Sequence, residues 1–164
     1  MKKHILSNFI IIFLLILLDM GIKIIIEFFF MEKKILFFSG FLGFKPHLNT
    51  TQLSVFNNEL NLGVDTDALI LLNILLILIF PLFFYLMHRK DNMGKTFYLF
   101  LDFMVAACFC SLFDKVFWGG SLDYIYLLKR WIVDLKDIYL ALGILCYLHA
   151  IIEVVIRQKA SSAP

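Results

Sequence analysis

The sequence predicts an all-α integral membrane protein built on four transmembrane helices. Three observations carry that prediction. Hydrophobic residues make up 62% of the 164 and charged residues 17%, against roughly 45–50% and ~25% in soluble domains. Mean hydropathy is +0.89. The apolar residues fall in four separate runs, each near the roughly 20 residues that cross a bilayer. The 19 Phe would leave large exposed apolar patches on a soluble globule. A soluble enzyme, a disordered chain and a nucleic-acid-binding domain are thereby excluded, and a formal charge of +2 is too small to point to an anionic partner.

The first run spans residues 5–30, after Met1-Lys2-Lys3-His4. It is too long for a signal peptide and lacks a small-x-small cleavage site, so it reads as a retained helix. The second runs over 68–87 and contains Pro81, which a membrane helix tolerates. The third covers 96–113 and the fourth 138–156. One membrane domain, 1–159, is expected, with a disordered tail at 160–164.

The connection from Met31 to Asp67 is broken by Gly40, Gly43 and Pro46, and its Thr-rich stretch from Leu48 to Phe56 suggests short strands. The connection from Asp114 to Asp137 is rich in charge. Four spans put both termini on one side, with Lys2, Lys3, Arg89, Lys90, Lys95, Arg157 and Lys159. Their density on short segments marks that side as cytoplasmic. Cys108, Cys110 and Cys146 lie in apolar runs and His4, His47, His88 and His149 are scattered. Neither a disulfide nor a metal is expected.

Charges inside spans are costly and carry functional hypotheses. Asp19 and Lys23 are spaced i, i+4 on the first helix and can pair. Asp114 ends the third span, Asp137 opens the fourth, and Asp123 and Asp134 lie between. If the two helices are neighbours, these carboxylates meet at the outer membrane surface. Two close carboxylates share a proton, so one can activate water while the other protonates a carbonyl. The residues alone leave open which acids pair. Asn73 reads as interhelical glue, Trp118, Trp131, Tyr124 and Tyr126 as interfacial aromatics, and Asp102 as an acid inside a span, with Lys23 as its candidate partner.

The spacing resembles the lipoprotein signal peptidases (signal peptidase II). Asp19 to Lys23 is similar to the family's D-x-x-x-K helix, and Asn57-Asn58-Glu59 to Gly63 resembles its N-x-G segment. Asp114-Lys115, Gly119 and Leu122-Asp123-Tyr124-Ile125 resemble its D-R…G…D-F-I block. Val133-Asp134-Leu135-Lys136-Asp137 with Gly143 resembles its F-N-x-A-D…G block. The resemblance implies Asp123 and Asp137 as the catalytic dyad and Asp114 as a supporting acid that positions the loop and its basic neighbour, Lys115. It implies that Asp19, Lys23 and Asn57 line the polar end of the site, and that residues 35–64 form a small extracytoplasmic β-cradle between the first two helices. The implied activity is aspartyl cleavage of diacylglyceryl-modified prolipoproteins just before the lipidated cysteine. It would occur in the bacterial inner membrane, in a monomer contacting membrane lipid, without cofactor, metal or nucleic acid.

The chain departs from the family at Cys110-Ser111 (G-N), Lys115 (Arg), Glu59 (Gly), Asp134 (Asn) and Lys136 (Ala). Asp134 is expected to pair with Lys136 or Lys115. The departures support an alternative, a non-catalytic or substrate-narrowed lipopeptide-binding paralogue on the same scaffold. An unrelated four-helix transporter is disfavoured because neither repeats nor paired broken helices are visible.

Overall fold

The computed structural model describes residues 2–50, 63–88 and 94–161. Its long helices are α1 (Lys2–Phe29), α2 (Thr66–His88), α3 (Lys95–Trp118) and α4 (Leu135–Ser161). All four are long and apolar enough to cross a membrane. The expected strand region 48–56 and the tail lie partly outside the described residues: β2 (below) ends at Asn49, α4 reaches Ser161, and residues 51–62 and 162–164 are not described.

α3 is the central helix. It packs against α1, α2 and α4, and 44% of its span is buried, against 17%, 6% and 17% for the spans of α1, α2 and α4. Its small residues Ala106, Ala107 and Cys110 meet Tyr139 of α4 and Ile12, Leu15, Ile16 and Met20 of α1. Small side chains let membrane helices approach closely, where packing rather than the hydrophobic effect holds them. The Tyr139 hydroxyl donates to the Leu15 carbonyl at 3.1 Å, tying α4 to α1. Asn73 of α2 donates to Ser111 of α3 at 3.1 Å, the interhelical bond its position suggests.

A four-stranded antiparallel sheet caps one end. Its order is β1 (Ile35–Phe37), β2 (Leu42–Asn49), β3 (Ser121–Leu127) and β4 (Trp131–Val133). β1 and β2 lie between α1 and α2, as the expected cradle does. β3 and β4 come from the connection between α3 and α4, where no strand is expected from sequence. The residues there, Tyr124 to Leu127 and Trp131 to Val133, are good strand formers. β4 pairs with β3, but the other partner of β3, β2, is distant in sequence, so no local pattern reveals that register.

Two details of that register position the site. β2 slips against β3 between Phe44 and His47, around Pro46, which has no N–H to give, and His47 then stands opposite Asp123. A Cβ on Gly120 would lie 2.5 Å from the Asn49 carbonyl oxygen, so only glycine lets β3 begin this close to β2. From there β3 alternates faces. Leu122 and Tyr124 pack with Ile26 of α1, Phe44 and Leu48, while Ser121 and Asp123 turn toward buried charges. Tyr124 is thus a core residue, 6% exposed, and not an interfacial aromatic.

α3 continues past the expected end at residue 113 and stops at Trp118, where Gly119 takes the left-handed conformation at φ 63°. The added turn carries Asp114 and Lys115, both buried. Read in isolation these charges look like a membrane exit. They stay helical because the fold supplies each with partners.

Candidate active site

Four elements deliver charge to one buried cluster. α1 brings Asp19 and Lys23, α3 brings Asp114, β3 brings Ser121 and Asp123, and the start of α4 brings Asp134, Lys136 and Asp137. Asp19, Lys23, Asp114 and Asp134 are each 0% exposed as side chains. An isolated charge at such depth would be costly, so its pairing decides whether the fold stands.

Lys23 stands at the centre of the first group. Its Nζ lies 2.9 Å from Asp19 Oδ2, 2.7 Å from both oxygens of Asp114 and 2.6 Å from Asp134 Oδ2. The contact with Asp19 is coulombic: neither of its oxygens accepts a hydrogen bond among the described residues. Lys136 stands in the second group. Its Nζ donates to Ser121 Oγ at 2.6 Å, lies 2.9 Å from Asp114 Oδ2 and 3.6 Å from Asp123 Oδ1, and pairs with Asp134 Oδ2. Ser121 passes the contact on by donating to Asp123 Oδ1 at 2.7 Å.

Asp123, Asp134 and Asp137 each offer one carboxylate oxygen, all within 4.8 Å of one another, and Asp19, Asp114 and Asp134 do the same. Both triads are all-oxygen sets, and each already has a lysine ammonium in contact with at least two of its members.

The start of α4 is a reciprocal cap. Asp137 N–H donates to Asp134 Oδ1, and Asp134 N–H donates to Asp137 Oδ2, each at 3.2 Å. This is a capping box with aspartate at both positions. It fixes the Asp137 carboxyl at the head of the helix, facing Asp123.

Electrostatics differ between the two acids outside the spans. Burial pushes the Asp123 carboxyl up, opposed by Lys136 and reinforced by Asp134. For Asp134 burial also acts upward, but the Lys136 and Lys23 ammonium groups override it and hold that carboxyl below its ordinary value.

The structure answers three of the sequence expectations. Lys115 does not serve Asp114. Its Nζ turns to Ser111, donating to Oγ at 2.9 Å and to the carbonyl at 3.3 Å, and the cations beside Asp114 are Lys23 and Lys136. A lysine next to an acid on a helix points about 100° away from it, so the partner must come from another element. Asp134 pairs with Lys136, one of its two expected partners, and with Lys23 as well. Asp102 lies far from the cluster. It is 12 residues from Asp114, about 18 Å along α3, and Lys23 does not reach it. It lines an apolar cavity of about 480 Å³ with residues that include Phe9, Phe80, Tyr85 and Val105. Asn57 and Glu59 lie outside the described residues.

Ser121 is a site residue that sequence reasoning missed. It stands two positions before Asp123 on a strand and so shares its face, a signal visible only once the segment is known to be a strand.

Together these features define a class, a multi-pass membrane protein with a buried aspartate–lysine cluster at one end of its bundle. The family described as Signal peptidase (SPase) II matches residues 11–153, and the chain belongs to that family. Membership brings aspartic protease chemistry and, in general terms, cleavage of lipoprotein signal peptides in the membrane. Two solved structures share the fold. A bacterial membrane enzyme solved by the in meso method at 2.3 Å resolution is 16% identical with a TM-score of 0.73, over 96% of this chain and 92% of that one. A second, at 1.9 Å resolution, is 17% identical with a TM-score of 0.71, over 88% and 92%. A comparison with curated proteins finds no match.

Proposed function

We propose that this chain is a membrane aspartyl endopeptidase that removes the signal peptide from diacylglyceryl-modified prolipoproteins, cutting before the lipidated cysteine, with Asp123 and Asp137 as its dyad. The observation that carries the reading is the approach of these two carboxylates, from β3 and the head of α4, among oxygens within 4.8 Å of one another. Two carboxylates this close favour holding one proton between them.

The dyad supports a water-based mechanism. Asp123 accepts a proton from water as the water oxygen attacks the scissile carbonyl carbon, and Asp137 gives its proton to the carbonyl oxygen. The tetrahedral diol then collapses. The C–N bond breaks, the leaving amine takes the proton held by Asp123, and the diol returns one to Asp137. Asp19, Lys23, Asp114 and Asp134 hold the frame, and Lys115 braces α3 through Ser111. Asn57 belongs to the substrate-facing loop in this reading. The density of basic residues on the short segments supports a protein of the bacterial cytoplasmic membrane with both termini cytoplasmic. The dyad then faces the outer leaflet, and one bundle makes a complete monomeric site with lipid around it.

A second reading has one observation in its favour. The Lys136 ammonium 3.6 Å from Asp123 stabilises an ionised dyad, which suits a lipopeptide-binding paralogue that does not cut. A gel-shift cleavage assay separates the two, using purified protein, a diacylglyceryl-modified prolipoprotein and the Asp137→Asn variant. Cleavage by the parent and none by the variant supports the peptidase. Bound but uncut lipopeptide with both supports the paralogue.

A further inference from the structure

Lys136 is 4% exposed and reaches three elements at once. Its Nζ meets Asp114 of α3, Ser121 and Asp123 of β3, and Asp134 at the entry to α4. A buried ammonium held by this many oxygens fixes their relative positions, because moving any one of them strands a charge. Its charge acts on both dyad carboxyls, but its direct contact is with Asp123. Asp123 is held twice, by the ammonium at 3.6 Å and through Ser121, which accepts from Lys136 and donates to Asp123 at 2.7 Å. The hydrogen bond to the Asp137 carboxylate comes instead from a neutral donor, the Asp134 backbone N–H at 3.2 Å. A cation beside one member of a proton-sharing pair favours the ionised form there and leaves the proton on the other.

We propose that Lys136 is a positioning residue of this site: with Asp134 as counter-ion and Ser121 as relay, it holds Asp123 as the carboxylate that takes the proton from water and leaves the dyad's proton on Asp137. The inference rests on the peptidase reading. It also gives the two unusual residues of this segment one joint purpose. Asp134 balances the charge that Lys136 brings.

The charged and titratable groups around Asp123 are Lys136, Asp134, Asp137, His47 across the strand pair, and Asp114 and Lys23 beyond them. Without Lys136, burial and the neighbouring acids act on Asp123 with much less opposition, and its carboxyl rises. The base is then protonated at higher pH, so the acid limb of the activity profile moves upward.

The test is the pH dependence of kcat and KM for a diacylglyceryl-modified prolipoprotein in detergent. The proteins compared are the parent, Lys136→Ala, Lys136→Arg and the double variant Asp134→Asn/Lys136→Ala. Loss of the ammonium is expected to raise the acid limb of kcat by about one pH unit or more with KM unchanged. Lys136→Arg, which keeps the charge, stays nearer the parent. Should Lys136→Ala fail to fold, Lys136→Gln carries the same measurement; the double variant also loses Asp134, which opposes the ammonium at Asp123, so its acid limb is expected to move up by less. Acid limbs of the folded variants that superimpose on the parent's overturn the inference while the peptidase reading stands. A parent that does not cleave overturns that reading and the inference with it.

Discussion

Asp134 and Asp137 cap each other: each side chain accepts the other's backbone N–H at 3.2 Å. The proposed catalytic acid is therefore also the residue that starts its own helix. Its carboxyl is aimed by the helix geometry, and a substitution there has a structural and a chemical consequence that must be separated.

Asn keeps an acceptor oxygen for the cap and loses the titrating group. Asp137→Asn and Asp123→Asn are each expected to lower cleavage by about 10²–10⁴-fold, the usual weight of a general acid or base. Thermal unfolding in detergent should stay near the parent for Asp137→Asn. Normal cleavage by both single variants would falsify the dyad assignment.

Lys23 is the shared counter-ion of Asp19, Asp114 and Asp134. Lys23→Met leaves three buried acids short of a partner. Removing one member of a buried pair costs about 3–5 kcal/mol, so the variant is expected to melt well below the parent in a detergent-solubilised thermal scan. An unchanged melting temperature would show that Lys23 is not the electrostatic centre of the bundle.

Acid should loosen the cluster through Asp134. Its carboxyl is held below the ordinary value of 3.8. A depressed value in the folded state means stabilisation fully present above the unfolded value and lost as pH falls through the folded one. Stability should therefore drop below about pH 4, and Asp134→Asn should flatten that part of the curve. The check is unfolding followed by intrinsic fluorescence across pH.

Ser111 accepts from both Asn73 and Lys115. Ser111→Ala removes two interactions and Asn73→Ala one. Interhelical hydrogen bonds in membranes average about 0.6 kcal/mol and reach about 1.7, so Ser111→Ala should destabilise more than Asn73→Ala. Equal effects in a denaturation series would place the weight elsewhere.

Asp102 is buried and makes no hydrogen bond or ion pair among the described residues. An unpaired carboxyl at that depth opposes folding. Asp102→Asn should leave cleavage unchanged and keep or raise the melting temperature. A marked loss of activity would tie this cavity to the reaction, about 18 Å along α3 from Asp114.

The sequence by itself determined the four spans, because apolar length is a local property that needs no partner. It also determined that Asp19 and Lys23 share a face, because i, i+4 spacing is fixed by the helix. The order of the acidic motifs along the chain was legible for the same reason. Tertiary structure decided the rest. β3 is fixed as a strand by β2, which reaches it from the other connection, and β4 then pairs with β3. α3 runs on through Asp114 because Lys23, 91 residues away in sequence, comes to meet it. Lys136 rather than Lys115 reaches Asp114, and the choice depends on how α3, α4 and the sheet are rotated against one another. Charge can be counted along a chain, but which charge is paired, and so which can stay buried, is set by contacts between elements that local spacing does not encode.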